Sequence, residues 1–255
     1  MNNTGLGRGF MKCPRFGDLM SASDQSLGIP NPPHGKPVVG EVVQLPPFDT
    51  AAAIPVYADI LDARRSRRLY AHEPITQEQL AFVLWSMQGV QGYRADNRVA
   101  VLRPVPSGGA RHPFELYAAI RDVSGLKPGL YRFAPLLNIG EKVVSLEYLK
   151  ALEDYEVQIT RMLSGQGFAA KAAAVMFLSC VPYRAEWRYV EAAHRVMLMD
   201  IGHIGQNAML SATALGLGSC CFGAYDQDFC DEILELDGKD EYTVYAVSIG
   251  VAASE

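Results

Sequence analysis

Four of the sixteen arginines in this chain fall within five residues, Arg64-Arg65-Ser66-Arg67-Arg68, directly ahead of Leu69-Tyr70. Guanidinium groups at this density call for an anion, and arginine's planar fork matches phosphate through paired charge-assisted hydrogen bonds. Ser66 adds a short hydroxyl donor inside the cluster. The chemistry indicated is a grip on a phosphate ester, although a solvated basic helix face fits the same pentamer. Two glycine-rich segments lie downstream. In Pro106-Ser107-Gly108-Gly109-Ala110, paired glycines let backbone amides approach a flat or charged ligand closely. In Gly216-Leu217-Gly218-Ser219-Cys220-Cys221-Phe222-Gly223, small residues at a helix exit leave room for another group. Each has an ordinary alternative, a turn for the first and a helix C-cap for the second.

Other chemistries find no support. There is no G-x-G-x-x-G after a strand, no G-x-x-x-x-G-K-[ST] and no G-x-S-x-G. The five histidines are scattered, none at i, i+4 from another ligand-type residue, so no metal site is expected. Cys220 and Cys221 are adjacent, and neighbouring strand side chains point to opposite faces, which favours small core residues over redox partners.

The net charge of −5 sets the whole chain against nucleic acid and anionic membranes, so the basic cluster suits a small anion. With 49% hydrophobic residues the chain can bury a substantial core. Five cysteines without a CxxC pair, and no apolar leader, suggest reduced thiols and a cytoplasmic setting. The longest apolar stretch, Val196 to Leu217, is interrupted by Asp200, His203, Gln206 and Asn207, which suits a buried helix better than a membrane span.

Several elements must position these residues. Residues 1–50 are rich in Pro and Gly and read as an extended arm, with residues 51–255 forming the folded domain. A helix is predicted from Ala58 to Arg67, carrying the arginines near its end. Thr76 and Gln79 form a capping box for a helix running from Leu80 to Gln88. Phe114 to Arg121 and Gly129 to Phe133 read as a hairpin, and Leu146 to Leu163 has helical spacing. Ala174 to Val181 is a continuous apolar run, hence a central strand buried on both faces. Arg195 to Leu215 is a long helix, apolar or small nearly all round, buried within the chain or between two copies. Ser219 to Ala224 continues as strand or tight loop, Asp228 to Leu234 as a short helix, and Tyr242 to Val251 as a last alternating strand. The mixture gives an α+β class, or α/β with a mixed sheet.

The order of these segments resembles the nitroreductase superfamily, in particular its SagB-type branch, which includes azoline-oxidising enzymes of peptide natural products. The resemblance runs from Asp62 to Gly250. It is carried by the arginine segment through Tyr70, by Leu84-Trp85-Ser86-Met87-Gln88-Gly89, and by Pro106 to Pro113. Pro128-Gly129-Leu130-Tyr131, Gly202 to Asn207, Ala214 to Ser219 and Ala224-Tyr225-Asp226 extend it. It implies a central, mainly antiparallel mixed sheet flanked by helices, an intertwined homodimer, and FMN bound at the subunit interface. Carried over, Arg64, Arg65, Ser66 and Arg68 would hold the FMN phosphate and ribityl chain, leaving Arg67 to solvent. Pro106, Ser107, Gly108 and Ala110 would line the isoalloxazine from the other subunit. Cys221, Phe222 and Gly223 would pass the ring near N5.

Two departures stand out. Azoline-oxidising members carry a Lys-Tyr pair where this chain has Arg188-Tyr189, and an arginine stays protonated and cannot accept a proton. Arg188 can still orient an anionic substrate, and Tyr189 can donate a proton or hydrogen bond. Residues 250–255 add no basic residue, which leaves the phosphate to the arginine cluster. The activity implied is an FMN-dependent oxidoreductase passing hydride between NAD(P)H, or a substrate C–H, and a small organic acceptor. A peptide dehydrogenase acting on a ribosomal precursor and a flavin-binding module without turnover remain as alternatives. His203, Gln206 and Asn207 read as polar groups bridging helices, and Glu186, Trp187 and His112 as possible pocket walls.

Overall fold

A computed structural model describes residues 23–47, 57–94 and 100–253. Its frame is a seven-stranded sheet of β1 (Glu41–Gln44), β4 (Phe114–Ile120), β5 (Gly129–Phe133), β6 (Ser145–Lys150), β7 (Ala174–Cys180), β8 (Leu217–Phe222) and β9 (Tyr242–Val251). The strand order is β1-β6-β5-β4-β7-β9-β8, and every ladder is antiparallel. Parallel pairing among the described residues is limited to isolated bridges, Ser66 beside Ser219 at the β8 edge and Ile75 beside Val123. A separate ribbon pairs β2 (Gly92–Arg94) with β3 (Ala100–Leu102).

The β7 run sits between β4 and β9 and is buried at every position. Met176 and Leu178 enter one core, Val175 and Phe177 the other, as the two-residue period of a strand requires. The first core is roofed by α2 (Gln77–Gln88) and α5 (Ala193–Ala214) through Leu80, Leu84, Ile204 and Ala208. The second is covered by α3 (Tyr155–Met162) and α6 (Gln227–Leu234) through Ile159, Met162, Cys230 and Leu234. Cys220 joins the second core while Cys221 packs against the first, on opposite faces as their adjacency predicts. Helix α2 opens on the expected capping box: Thr76 Oγ1 accepts from the Gln79 amide at 3.2 Å, and Gln79 Oε1 accepts from the Thr76 amide at 2.9 Å.

Two expectations are corrected. Leu146 to Leu163 is not one helix, because its first part is β6, held between β5 and β1, and only Tyr155–Met162 coils. Partners on both sides outweigh the local apolar spacing, and Asp154 at φ 46 separates the two elements. The first helix, α1 (Tyr57–Ala63), stops before the arginines. Residues 64–68 are drawn out along the β8 edge, where the Arg67 amide donates to the Ser219 carbonyl at 2.9 Å.

Residues 23–47 lie on the body, while 1–22 and 48–50 of the expected arm, including Cys13, fall outside the described residues. The Gln25 amide donates to the Trp187 carbonyl, and Trp187 Nε1 donates to the Ile29 carbonyl, each at 2.9 Å. Farther along, Glu147, fully buried, accepts from the Val39 amide at 2.8 Å and from Arg132, and β1 then adds to the β6 edge.

Candidate functional site

The arginine strip runs parallel to β8. Arg64 and Arg67 are half-buried, whereas Arg65, Ser66 and Arg68 are exposed. Among the described residues, none of Arg64, Arg65 and Arg68 is paired with a carboxylate. Arg65 instead donates to the backbone carbonyls of Asp62 and Arg64, both at 2.8 Å. Three guanidiniums without a counter-charge form a donor set suited to phosphate. Arg67, expected in solvent, packs against the strand: a Cβ on Gly218 would stand 3.1 Å from Arg67 Cβ. With Arg65 it lines a cavity of about 360 Å³ whose walls include Thr213 and Gly216.

The first glycine-rich segment, Pro106 to Ala110, is tied to the middle of α5. Ser107 Oγ donates to Asp200 at 2.7 Å, and the Gly108 amide lies 3.1 Å from both Asp200 oxygens. The His112 amide closes the loop onto Ser107 Oγ at 2.9 Å. Burial raises the Asp200 carboxyl above its ordinary range, and the Ser107 and Gly108 hydrogen bonds only partly offset this. The loop backbone turns through Gly109 at φ 57 and Ala110 at φ 52. Glycine at 108 and 109 is required by crowding. A Cβ at 108 would come within 2.3 Å of Val196 Cγ1, and one at 109 within 2.7 Å of Tyr189 Oη. Thus Arg188 and Tyr189, at the end of α4 (Tyr183–Tyr189), are brought against this loop.

The β8 exit divides its three candidates. Phe222 is 2% exposed and stacks on Phe168 with centroids 5.4 Å apart, so only its backbone is available to a ligand. Cys221 is half-buried with its Sγ 3.8 Å from the Gly205 carbonyl. Burial raises its thiol above the ordinary value. Gly223 is exposed, and a Cβ there would meet nothing within 4 Å.

Within one chain the arginine strip meets β8 but not the Ser107 loop. The loop is fixed to α5 at Asp200, whereas the arginine strip shares its cavity with Thr213. Thirteen residues of helix at 1.5 Å each separate the two points by about 20 Å. Between them α5 exposes Gly202, His203 and Gln206, continuing a stripe that begins at Leu198 and Met199, so the helix is not buried all round in a single chain. Asn207 donates to the Ser86 carbonyl at 3.0 Å and bridges to α2, as expected of a satisfied polar group.

Two residues of this region were not singled out by the sequence. Asp200, the loop's anchor, showed only as a charge inside an apolar helix. Arg111, 1% exposed, lies with its guanidinium carbon 4.9 Å from the Trp187 ring centroid. His112, at 4% exposure, is held neutral: burial, then Arg103, pull its imidazole down to about 3. Its Nε2 lies 3.0 Å from the Val101 carbonyl, so it supports the loop rather than lining a pocket. Among the described residues there is no group of three or more His, Cys, Asp or Glu placed for a metal, and no helix long and apolar enough to cross a membrane.

The chain is similar to known proteins over most of its length. Residues 61–251 match the profile described as the Nitroreductase family. A protein of Methanocaldococcus jannaschii that carries a provisional nitroreductase name is 31% identical over 192 residues, covering 75% of this chain and 89% of its own. The trifolitoxin-processing protein TfxB of Rhizobium leguminosarum bv. trifolii is 32% identical over 139 residues, 53% of this chain and 36% of its own length. Among solved structures, one from Ralstonia eutropha JMP134, also named provisionally as a nitroreductase, superposes with a TM-score of 0.66 at 25% identity. That superposition covers 86% of this chain and 95% of the other.

Proposed function

Because the chain belongs to the nitroreductase family, we propose that it is an FMN-dependent oxidoreductase working as a homodimer, with each cofactor shared between two copies. When bound, FMN supplies hydride acceptance and release at N5. Arg64, Arg65, Ser66 and Arg68 would hold its phosphate and ribityl chain. Pro106, Ser107, Gly108 and Ala110 of the second copy would cover the ring, and the backbone of Cys221, Phe222 and Gly223 would pass its edge. NAD(P)H or a substrate C–H would be the reductant, and a small organic molecule the acceptor. Tyr189, whose hydroxyl sits at the Gly109 turn, would donate a hydrogen bond or proton to the reacting substrate.

The observation that carries this reading is the separation of the two half-sites on α5, with an exposed stripe that starts at Leu198 and Met199 beside Asp200 and runs through Gly202, His203 and Gln206 between them. A second α5 laid antiparallel on that stripe sets one chain's loop beside the other chain's arginines, as a self-complementary two-fold interface requires. Released-flavin assays and light scattering test it together: one FMN per chain and a dimeric mass are expected. Arg64→Ala should weaken FMN binding about 10- to 100-fold, the range of a lost charged hydrogen bond, and Arg67→Ala distinctly less. Equal losses would sink the assignment of Arg64.

Similarity to TfxB, named for processing trifolitoxin, favours a second reading in which the substrate is an azoline-type ring in a ribosomal precursor peptide. Arg188 weighs against it, since a guanidinium cannot take the proton that such an oxidation releases. Loss of two hydrogens from an azoline peptide, followed by mass spectrometry, separates the two readings.

A further inference from the structure

The helix that carries Tyr189 depends on contacts from outside itself. Helix α4 has seven residues, too few to be stable on its own helical bonds. It also ends in strain: Val190, next after Tyr189, stands at φ 49, a left-handed backbone that a β-branched side chain rarely adopts. Strain of this kind persists only where surrounding contacts over-determine it. Those contacts come from two directions and meet at Trp187.

On one side is the turn formed by residues 23–29. The Leu27 amide donates to the Ser23 carbonyl at 3.0 Å and the Ile29 amide to the Asp24 carbonyl at 2.9 Å, which makes the turn compact. Three hydrogen bonds tie it to α4. The Gln25 amide donates to the Trp187 carbonyl, one of the last four carbonyls, which a helix leaves without partners of its own. Trp187 Nε1 donates to the Ile29 carbonyl at 2.9 Å, and the Tyr183 hydroxyl donates to the Asp24 carboxylate. On the other side the Arg111 guanidinium carbon lies 4.9 Å from the Trp187 ring centroid, and the Arg111 amide closes the glycine loop onto the Gly108 carbonyl at 3.2 Å. Trp187 is buried, yet it belongs to neither hydrophobic core. An indole kept for ordinary packing would join one of them. Two residues on, Tyr189 Oη lies 2.7 Å from where a Cβ at Gly109 would stand.

We infer that Trp187 is a positioning residue of the reaction site. Residues 23–29 act as a strap that fixes α4 through Trp187, and Trp187 holds the Tyr189 hydroxyl and the Gly108-Gly109 turn in mutual register. The use of that register in turnover rests on the oxidoreductase reading, whereas the register itself does not. Neither Trp187 nor the strap is assigned a contact with substrate.

The test is hydrogen exchange on the holoenzyme, with flavin content and turnover of NADH and a nitroaromatic acceptor measured on the same samples. Gln25→Pro removes the strap's amide donor and changes no residue of α4 or the loop. Trp187→Phe keeps an aromatic ring on Arg111 and loses only the Nε1 donor. In both variants the amides of Gly108, Ala110, Arg111 and His112, each hydrogen-bonded within the loop or to Asp200, should exchange about tenfold faster, the equivalent of one lost hydrogen bond. Exchange in β7 and flavin content should stay those of wild type. Turnover should fall by up to about 100-fold in kcat, as a displacement near 1 Å at the site requires. Faster exchange confined to residues 23–29 and α4 in both variants overturns the inference, because the strap then does not reach the loop. Faster exchange throughout β7 in both also overturns it, marking a merely structural role. Faster loop exchange with kcat unaltered overturns the positioning role. An unchanged loop with FMN bound and turnover present leaves the oxidoreductase reading standing, whereas a loosened loop in a chain that binds no FMN does the reverse.

Discussion

Gly109→Ala is the substitution whose consequences can be worked most fully. At φ 57 an alanine enters the left-handed region, which costs about 1–2 kcal/mol. Its Cβ would also stand 2.7 Å from Tyr189 Oη, 2.8 Å from Arg188 Cδ and 2.9 Å from Arg188 Nε. Such overpacking adds about 1–3 kcal/mol. Gly216 provides the internal control, because it lies at φ 71 and a Cβ there meets nothing within 4 Å. Gly216→Ala therefore carries the backbone cost alone. At about 2–4 °C per kcal/mol for a chain of this size, Gly216→Ala should lower Tm by about 2–8 °C and Gly109→Ala by about 4–20 °C. The excess measures how hard Arg188 and Tyr189 press on the loop. Relief of the clash must move those side chains, and a displacement near 1 Å costs on the order of 100-fold in turnover. Thermal melts of both variants with saturating FMN, alongside kcat, give the comparison. Identical Tm losses, with kcat of Gly109→Ala unchanged, would refute the contact between α4 and the loop.

Tyr189→Phe should slow turnover by about 100-fold or more, the lower end of the range for a positioned proton donor, while flavin content stays that of wild type. Unaltered kcat would remove Tyr189 from the chemistry. Asp200 sets a pH dependence. Its carboxyl is raised in the folded state, so the fold binds more protons than the unfolded chain between the two pKa values, and this contribution to stability falls as pH rises through that window. Urea melts should therefore show wild type gaining on Asp200→Asn as pH drops from neutral toward 4. A pH-independent difference between the two would mean that burial does not dominate the Asp200 environment.

What the sequence disclosed follows how local each signal is. The β7 strand was legible because a strand buried on both faces is a continuous apolar run, and the Thr76 cap because it closes within three residues. The α5 helix was legible too, although its exposed stripe was not, since a stripe of Leu, Met and Gly looks the same whether another chain or the core covers it. Leu146 to Leu163 misled because β6 is completed as a strand by β1, which lies far upstream in the chain, as well as by β5. The arginines were legible as an anion grip but not as an extended strip, because Ser219 lies far down the chain from Ser66. Likewise the Ser107 loop announced itself by its glycines, while its anchor, Asp200, stands 93 positions away. Arg111 was hidden for a related reason: its burial and its stacking on Trp187 are set by an element 76 positions away.

Helix α5 makes the two half-sites a matter of phase. Each residue of helix turns the chain by about 100° and advances it by 1.5 Å. The loop is registered at Asp200 and the arginine cavity at Thr213, so their relative bearing is fixed by the count of residues between them. One residue inserted there would swing the half-sites apart by more than a quarter turn, although no residue touching a ligand had changed. Insertions in the exposed turn around Gly238, beyond α6, leave that count untouched. Length variation is thus forbidden in this one helix and tolerable at the rim, a constraint of indexing that no substitution within the half-sites could relieve.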